Sequence, residues 1–340
     1  MSNKKISVAI LSFYSGLVSR GVETFVTELG RHVKDKVELK VYQADKLPGP
    51  GNKLSYLFAD PPSLAIKRFT HKVLGQLEAN PPDIIMALNN GWMSLLTKLF
   101  CRRHQTKLIL AGFSGIGWDD KVNLYLNPDC FVAATKFQAH WAKNINSKAK
   151  IATINIGVNT DRFRPLGDKY NHGLKQPVVL VVAGPQATKR VNLAIEAISR
   201  LPQASLLVVG QQSQAIKLLG EKILGNRFKN IRVDYSKLDS VYRSVQAYSL
   251  PSVASEAYGI SILEALASGL PVVVNDDPIR QELVGEAGIL VDPANMTAYV
   301  AALTMALKST EVNRHRQQAE KFSWFSISQQ YLDLWSSLSA

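Results

Sequence analysis

The chain reads as an α/β protein of two doubly wound domains. Three observations predict this. Short β-type apolar runs alternate with helical runs from the first residues onward; a polar, loop-like stretch, YNHGLKQ from Tyr170 to Gln176, interrupts them; and the alternation then restarts at Val178. With 340 residues, 46% of them hydrophobic, and mean hydropathy near zero, each half can bury a core of its own. The domains are expected at 1–168 and 177–322, with 323–340 as a closing helical segment.

In the first half, KISVAILSF (Lys5 to Phe13) is a buried-strand pattern, followed by YSGLVSRG, a loop with two glycines, and a helix from about Val22. The loop lacks both GxGxxG and GxxxxGK[ST], which removes the dinucleotide-fingerprint and P-loop readings. Strands are expected at Val37 to Gln43, Asp83 to Leu88, Lys107 to Ala111, Asp129 to Ala133 and Ile151 to Ile154. Helices fall at about Ser63 to Glu78 and Trp92 to His104, and a further one contains Trp141. The segment from Leu47 to Asn52 is too rich in Pro and Gly for regular structure. Lys67, Arg68, His71 and Lys72 give the second helix a basic face beside an apolar stripe. A solvated face is the ordinary explanation and contact with a membrane surface the other. GFSGIGWDD, Gly112 to Asp120, stands at the carboxyl end of a strand, where open α/β sheets bind ligands. Asp119 and Asp120, adjacent on an extended segment, point apart and read as loop capping rather than a metal pair.

The second half supplies a strand at Val178 to Ala183, the loop GPQATKRVN, a helix at Leu193 to Leu201 and a strand at Ser205 to Val209. A strand end at Tyr248 to Ser252 then leads through Glu256 and Gly259 into a helix at Ser261 to Ser268, closed by Gly269. A helix start at a strand's carboxyl end offers unpaired N–H groups and partial positive charge to a phosphate or polyhydroxyl ligand. Gly259 lets backbone approach that ligand, and Glu264, about a turn inside the helix, can accept from two adjacent hydroxyls such as a ribose diol.

Composition narrows the class. No apolar run reaches the 18 residues of a membrane span, and the N-terminus enters a strand without a signal-peptide pattern, so a cytoplasmic location is expected. Cys101 and Cys130, without CxxC or clustered His, support neither disulfides nor zinc. The net charge is +13, and residues 1–150 hold 21 Lys+Arg against 11 Asp+Glu. Charge by itself does not choose among nucleic acid, an anionic membrane surface, a phosphate-bearing substrate and plain solubility.

PSVASEAYG and ILEALASGLPVV, with Glu256 and Glu264 in a Glu-x7-Glu spacing, resemble the nucleotide-sugar site of retaining glycosyltransferases of family 4. INIGVNTDRFRP, SRGVETFV and the terminal AEKFSWFSISQQYLDLW resemble the same family. The resemblance implies the GT-B fold: two Rossmann-like domains facing a central cleft, with a last helix crossing back to the first domain. It implies a sugar moved from a nucleoside diphosphate donor of UDP or GDP type to a glycan or lipid-linked acceptor, with retention. No metal, cofactor or nucleic acid is expected. Glu256, Lys189 and Arg190 would be catalytic. Gly21, Arg20, Gly184, Lys189, Tyr258, Gly259, Ile260 and Glu264 would hold the donor, and Gly112, Ser114 and Gly115 would lie on the acceptor side. Pro185 stands where the family usually has a diphosphate-binding arginine, with Arg190 as the candidate substitute and the exchange itself left open by the sequence, and Gly112 or Phe113 stands where it often has a histidine. A sugar-nucleotide epimerase and a non-catalytic nucleotide-binding protein are the alternatives. Peripheral contact with an anionic membrane face, through Lys67, Arg68, Lys72, Arg102 and Arg103, is a further expectation.

Overall fold

A computed structural model describes residues 5–15, 17, 21–46, 61–113, 115–254 and 256–339 of the chain. These form two compact units, one of residues 1–156 and 324–340, the other of residues 157–323.

In the first unit β1 (Ser7–Leu11), β2 (Glu38–Tyr42), β3 (Ile84–Ala87), β4 (Lys107–Gly112), β5 (Cys130–Ala133) and β6 (Ile151–Thr153) form one parallel sheet, ordered β2-β1-β3-β4-β5-β6. Its central strands are continuous apolar runs because helices cover both faces. Edge strand β2 instead carries exposed Glu38 and Lys40, 3.4 Å apart, which blunt it against further pairing. The connecting helices are α1 (Gly21–Val33), α2 (Pro61–Leu77), α3 (Trp92–His104), α4 (Trp118–Tyr125) and α5 (Lys136–Ile145). Phe25, Val26, Leu29 and Val33 bury one stripe of α1, each fully buried side chain of this kind contributing about 1.5–3 kcal/mol. The closing helix, Trp324–Ser339, buries Trp324, Ile327, Tyr331 and Trp335 in this unit. Its Trp324 and Tyr331 rings lie 5.7 and 5.5 Å from the Phe25 ring.

The second unit holds β7 (Val178–Val182), β8 (Ser205–Val209), β9 (Phe228–Ile231), β10 (Ala247–Leu250), β11 (Val272–Asn275) and β12 (Gly288–Val291), parallel throughout and ordered β12-β11-β10-β7-β8-β9. Its helices are α6 (Val191–Ser199), α7 (Gln214–Leu224), α8 (Leu238–Tyr242), α9 (Ile260–Ala267), α10 (Pro278–Val284), α11 (Met296–Lys308) and α12 (Val312–Glu320). Ile195, Leu206, Val208, Val273, Tyr299 and Leu303 lie at its core. Strand order reverses between β7 and β10, so the loops leaving those two strands flank the point where such sheets bind ligands.

The division falls at Gly157 and not after residue 168. Val158 N–H donates to Phe322 O at 2.9 Å, Arg316 donates to Thr160 O and Phe163 O, and the Phe163 ring packs 5.6 Å from Tyr242. Residues 157–168 contain no helix or strand, and partners from residues 242, 316 and 322 tie them to the second unit. No helix among the described residues is long and apolar enough to cross a membrane.

Candidate active site

Two loops meet at the switch point of the second sheet. After β7 the chain makes a short 3-10 turn, Ala187–Lys189, and Arg190 enters α6 in the left-handed conformation, φ 46° and ψ 42°. After β10 the segment from Pro251 leads to α9. Val253 N–H donates to Thr188 O at 2.9 Å and joins the two. Across this joint Lys189 Nζ lies 2.7 Å from Glu256 Oε2, with side chains only 18% and 17% exposed, so their attraction is screened less than that of a surface pair.

Helix α9 begins at Gly259, whose φ of 96° only glycine adopts readily and where a Cβ would fall 2.9 Å from Ile262 Cδ1. No side chain caps the helix; Ile262 N–H turns back to Gly259 O at 2.9 Å, and a helix start without a capping side chain suits an anion. Ile260 opens the helix and Tyr258 is buried beside it. Glu264 is buried, with Tyr242 donating to Oε2 at 2.8 Å and Tyr235 to Oε1 at 3.4 Å. Burial lifts its carboxyl to about 7 against the pull of the Tyr242 bond, the Arg162 charge and the Tyr235 bond. Burial together with the Glu264 charge raises the Tyr242 phenol well above its ordinary value, which keeps it a donor. Arg162 stacks over the Tyr235 ring at 4.1 Å, and Tyr248 donates to Ser261 Oγ at 2.7 Å, so aromatic side chains wall this end of α9. Nothing in the Glu-x7-Glu spacing pointed to Tyr235, Tyr242 or Arg162, which come from distant stretches of the chain.

Several expected residues stand differently. Arg190 is not a second free cation beside Lys189. Its Nε donates to Pro251 O at 2.7 Å and its Nη2 to Ser252 O at 2.7 Å and Asn275 Oδ1 at 3.0 Å. Gly184 follows β7, and its carbonyl and that of Ala183 accept from Gln212 Nε2. Gly112 has a packing reason: a Cβ there would lie 2.3 Å from Gln138 Nε2 and 2.7 Å from the Phe131 ring. Phe113, at the place where the resembling family often has a histidine, packs its ring 4.7 Å from Phe25. Gly115 follows with φ 91°, and Gly21 opens α1. Arg20 and Ser114 lie outside the described residues.

Asp119 and Asp120 are not on an extended segment but in the first turn of α4, where carboxylates suit the helix dipole. Asp120 is buried and accepts from Gln138 Nε2 at 2.8 Å, and burial raises it to about 7. Among the described residues no three His, Cys, Asp or Glu side chains gather as a metal site requires. Burial pushes the Cys101 and Cys130 thiols up to about 12 and about 11, as in unreactive core cysteines.

Residues 165–322 match the family model described as glycosyl transferases group 1. A phosphatidyl-myo-inositol mannosyltransferase of Mycolicibacterium smegmatis is 28% identical over 50% of this chain and 44% of its own length. A D-inositol 3-phosphate glycosyltransferase of Corynebacterium urealyticum is 26% identical over 56% and 52%. The matches thus span about half the length of these curated relatives. Solved structures extend the likeness to nearly the whole chain. Sucrose-phosphate synthase from Thermosynechococcus elongatus has a TM-score of 0.80 over 98% of this chain and 99% of its own at 18% identity. Anabaena HepE, solved with UDP and glucose, has 0.76 over 98% and 100% at 17%. Residues 165–322 are thus similar in sequence to the glycosyl transferases group 1, and the two sheets have the GT-B architecture of these solved structures.

Proposed function

We propose that the protein moves a sugar from a nucleoside diphosphate donor of UDP or GDP type to a hydroxyl of a glycan or lipid-linked acceptor, with retention of anomeric configuration. The observation that carries this reading is the Lys189–Glu256 pair at the switch point of the second sheet, with the buried Glu264 on the helix that follows. The leaving group is a diphosphate, whose growing negative charge needs a preorganised cation and backbone donors. Lys189 and the first turn of α9 supply both. Glu256 accepts hydrogen bonds from hydroxyls of the donor sugar, and Glu264 accepts them from the ribose diol. The bond from the anomeric carbon to the diphosphate oxygen breaks as the acceptor oxygen bonds to that carbon on the same face, and the acceptor proton passes to the departing diphosphate.

The relatives' names support an inositol-lipid or inositol-phosphate type of acceptor, and HepE supports a uridine donor. A lipid-linked acceptor brings the first unit to a bilayer surface. Exposed Arg68, Lys72, Arg102 and Arg103 would meet its anionic headgroups, and exposed Leu95, Leu99, Trp118 and Tyr125 its apolar boundary. Two of those cations are already partly balanced: Lys72 lies 3.9 Å from Asp45 and Arg103 3.6 Å from Glu78.

The test is incubation with a panel of UDP-, GDP- and ADP-sugars, with and without inositol-containing and glycan acceptors, and identification of the products. A new glycoside of unchanged anomeric configuration supports the proposal. A free epimerised sugar, or nucleotide binding without turnover, overturns it.

A further inference from the structure

We infer that Arg280 is a positioning residue for the Lys189–Glu256 pair, holding the loop that bears Glu256 by that residue's own carbonyl oxygen, while Arg190 holds the start of the same loop. The inference rests on the roles just proposed for Lys189 and Glu256.

Arg280 is wholly buried on α10. Its Nη1 donates to Glu256 O at 3.0 Å and Asp277 Oδ1 at 3.2 Å, and its Nη2 to Ser252 Oγ at 3.2 Å. Asp277 caps α10, Oδ1 accepting from the N–H groups of Ile279 and Arg280, and Oδ2 accepts from Asn275 Nδ2 at 3.0 Å. Asn275 Oδ1 in turn accepts from Arg190, which also grips Pro251 O and Ser252 O. The result is a closed circuit: Lys189 to Glu256, Glu256 main chain to Arg280, Arg280 to Asp277, Asp277 to Asn275, and Asn275 to Arg190, the residue next to Lys189. One guanidinium stands at each end of the segment from Pro251 to Glu256.

Stability does not explain this arrangement. A buried guanidinium loses its hydration, and an apolar side chain of like volume commonly leaves a fold as stable or more so. Arg190 adds strain, because a non-glycine residue in the left-handed region is unfavourable. Beside Asn275 and Asp277, both arginines bind carbonyl and hydroxyl oxygens of the one loop that carries Glu256, so the cost fixes where that carboxylate stands. Arg280 is fully buried and cannot itself touch a ligand.

The experiment compares Arg280→Lys and Arg190→Gly with wild type. Lysine keeps the buried charge but cannot span Glu256 O, Asp277 and Ser252. Glycine accepts the left-handed backbone, so Arg190→Gly keeps the fold should Arg280→Lys lose it. With folding verified by circular dichroism, kcat for transfer is expected to fall about 10²-fold, the penalty typical of a misplacement near 1 Å, while Kd for UDP or GDP stays within about threefold. A kcat per folded molecule within about threefold of wild type in every folded variant overturns the inference, since a purely structural role predicts that. A second readout needs no turnover: the rate at which acetic anhydride acetylates Lys189, measured by mass spectrometry against exposed Lys308. Loosening the loop should raise it roughly fivefold, as expected on release from an ion pair. An unchanged rate overturns the clamp. If wild type transfers no sugar but the Lys189 rate rises in the variants, the proposed reaction falls and the clamp stands.

Discussion

Raising the pH from 6 to 8 should tighten nucleotide binding about tenfold through Glu264. Burial lifts this carboxyl to about 7, and only its ionised form offers acceptors to both hydroxyls of a ribose. A group titrating there is about one-tenth ionised at pH 6 and nine-tenths ionised at pH 8, which sets the size of the effect. Near pH 7, binding should release about half a proton, seen as a dependence of the calorimetric heat on the buffer's ionisation enthalpy. The terminal phosphate of the ligand titrates near pH 6, so Glu264→Gln serves as the control that carries the phosphate contribution alone. The same shift acts on the free fold with a defined sign. Because the folded value lies above the ordinary 4.5, the stability that the protonated form contributes is complete below about 4.5. It is lost as pH rises through about 7, and Asp120 acts in the same direction. If wild type and Glu264→Gln give parallel affinity profiles from pH 6 to 8, the carboxylate is not the ribose acceptor.

Lys189→Ala should lower kcat by about 10²-fold or more, as removal of one preorganised electrostatic contact does; activity within about threefold of wild type would transfer that role to another group. Glu264→Ala should weaken nucleoside diphosphate binding by about 1.5–3 kcal/mol, read by calorimetry. Tyr242→Phe removes the bond that most lowers the Glu264 carboxyl, so the midpoint of the affinity profile should move to higher pH, and an unmoved midpoint would assign Tyr242 to packing alone. Gly210→Ala meets a φ of 121° and puts a Cβ 2.2 Å from Ala183 O. It should cost at least about 1–3 kcal/mol in denaturant unfolding, with the loop after β7 displaced. Vesicles of increasing anionic lipid should co-sediment the protein at low salt and release it at high salt, each engaged cation contributing about 1 kcal/mol; a supernatant pool at every composition would point to a soluble acceptor.

The strands were legible because doubly covered sheets need four- to six-residue apolar runs, and VVLVV or SLLVV can be little else. Glu256, Gly259 and Glu264 could be placed relative to one another because a helix start after a strand fixes their relation within one stretch. Partners brought in by the fold were not. Tyr235 and Tyr242 precede Glu264 by 29 and 22 residues, and Arg280 follows Glu256 by 24. A lysine-arginine pair in a loop looks like two phosphate ligands. Only the path of the Pro251 segment shows that one of them faces the protein. Asp119 and Asp120 misled because Gly115 and Gly117 suggest a loop, whereas extended Gly117 serves as the lead-in to α4. The boundary at Gly157 was hidden because irregular segments take their allegiance from distant donors.

The closing helix gives the first unit a peculiarity of timing. Trp324, Ile327, Tyr331 and Trp335 complete a core whose other residues precede Gly157, so about 180 residues, and with them the whole second unit, must be made before that core can close. At roughly 5–20 residues per second the ribosome leaves Phe25, on the apolar stripe of α1, without its Trp324 and Tyr331 partners for about 9–36 s. The second unit is contiguous in sequence and suffers no such delay. A nascent chain will therefore complete its second unit first and offer chaperones the part of α1, at Phe25, that Trp324 and Tyr331 later cover.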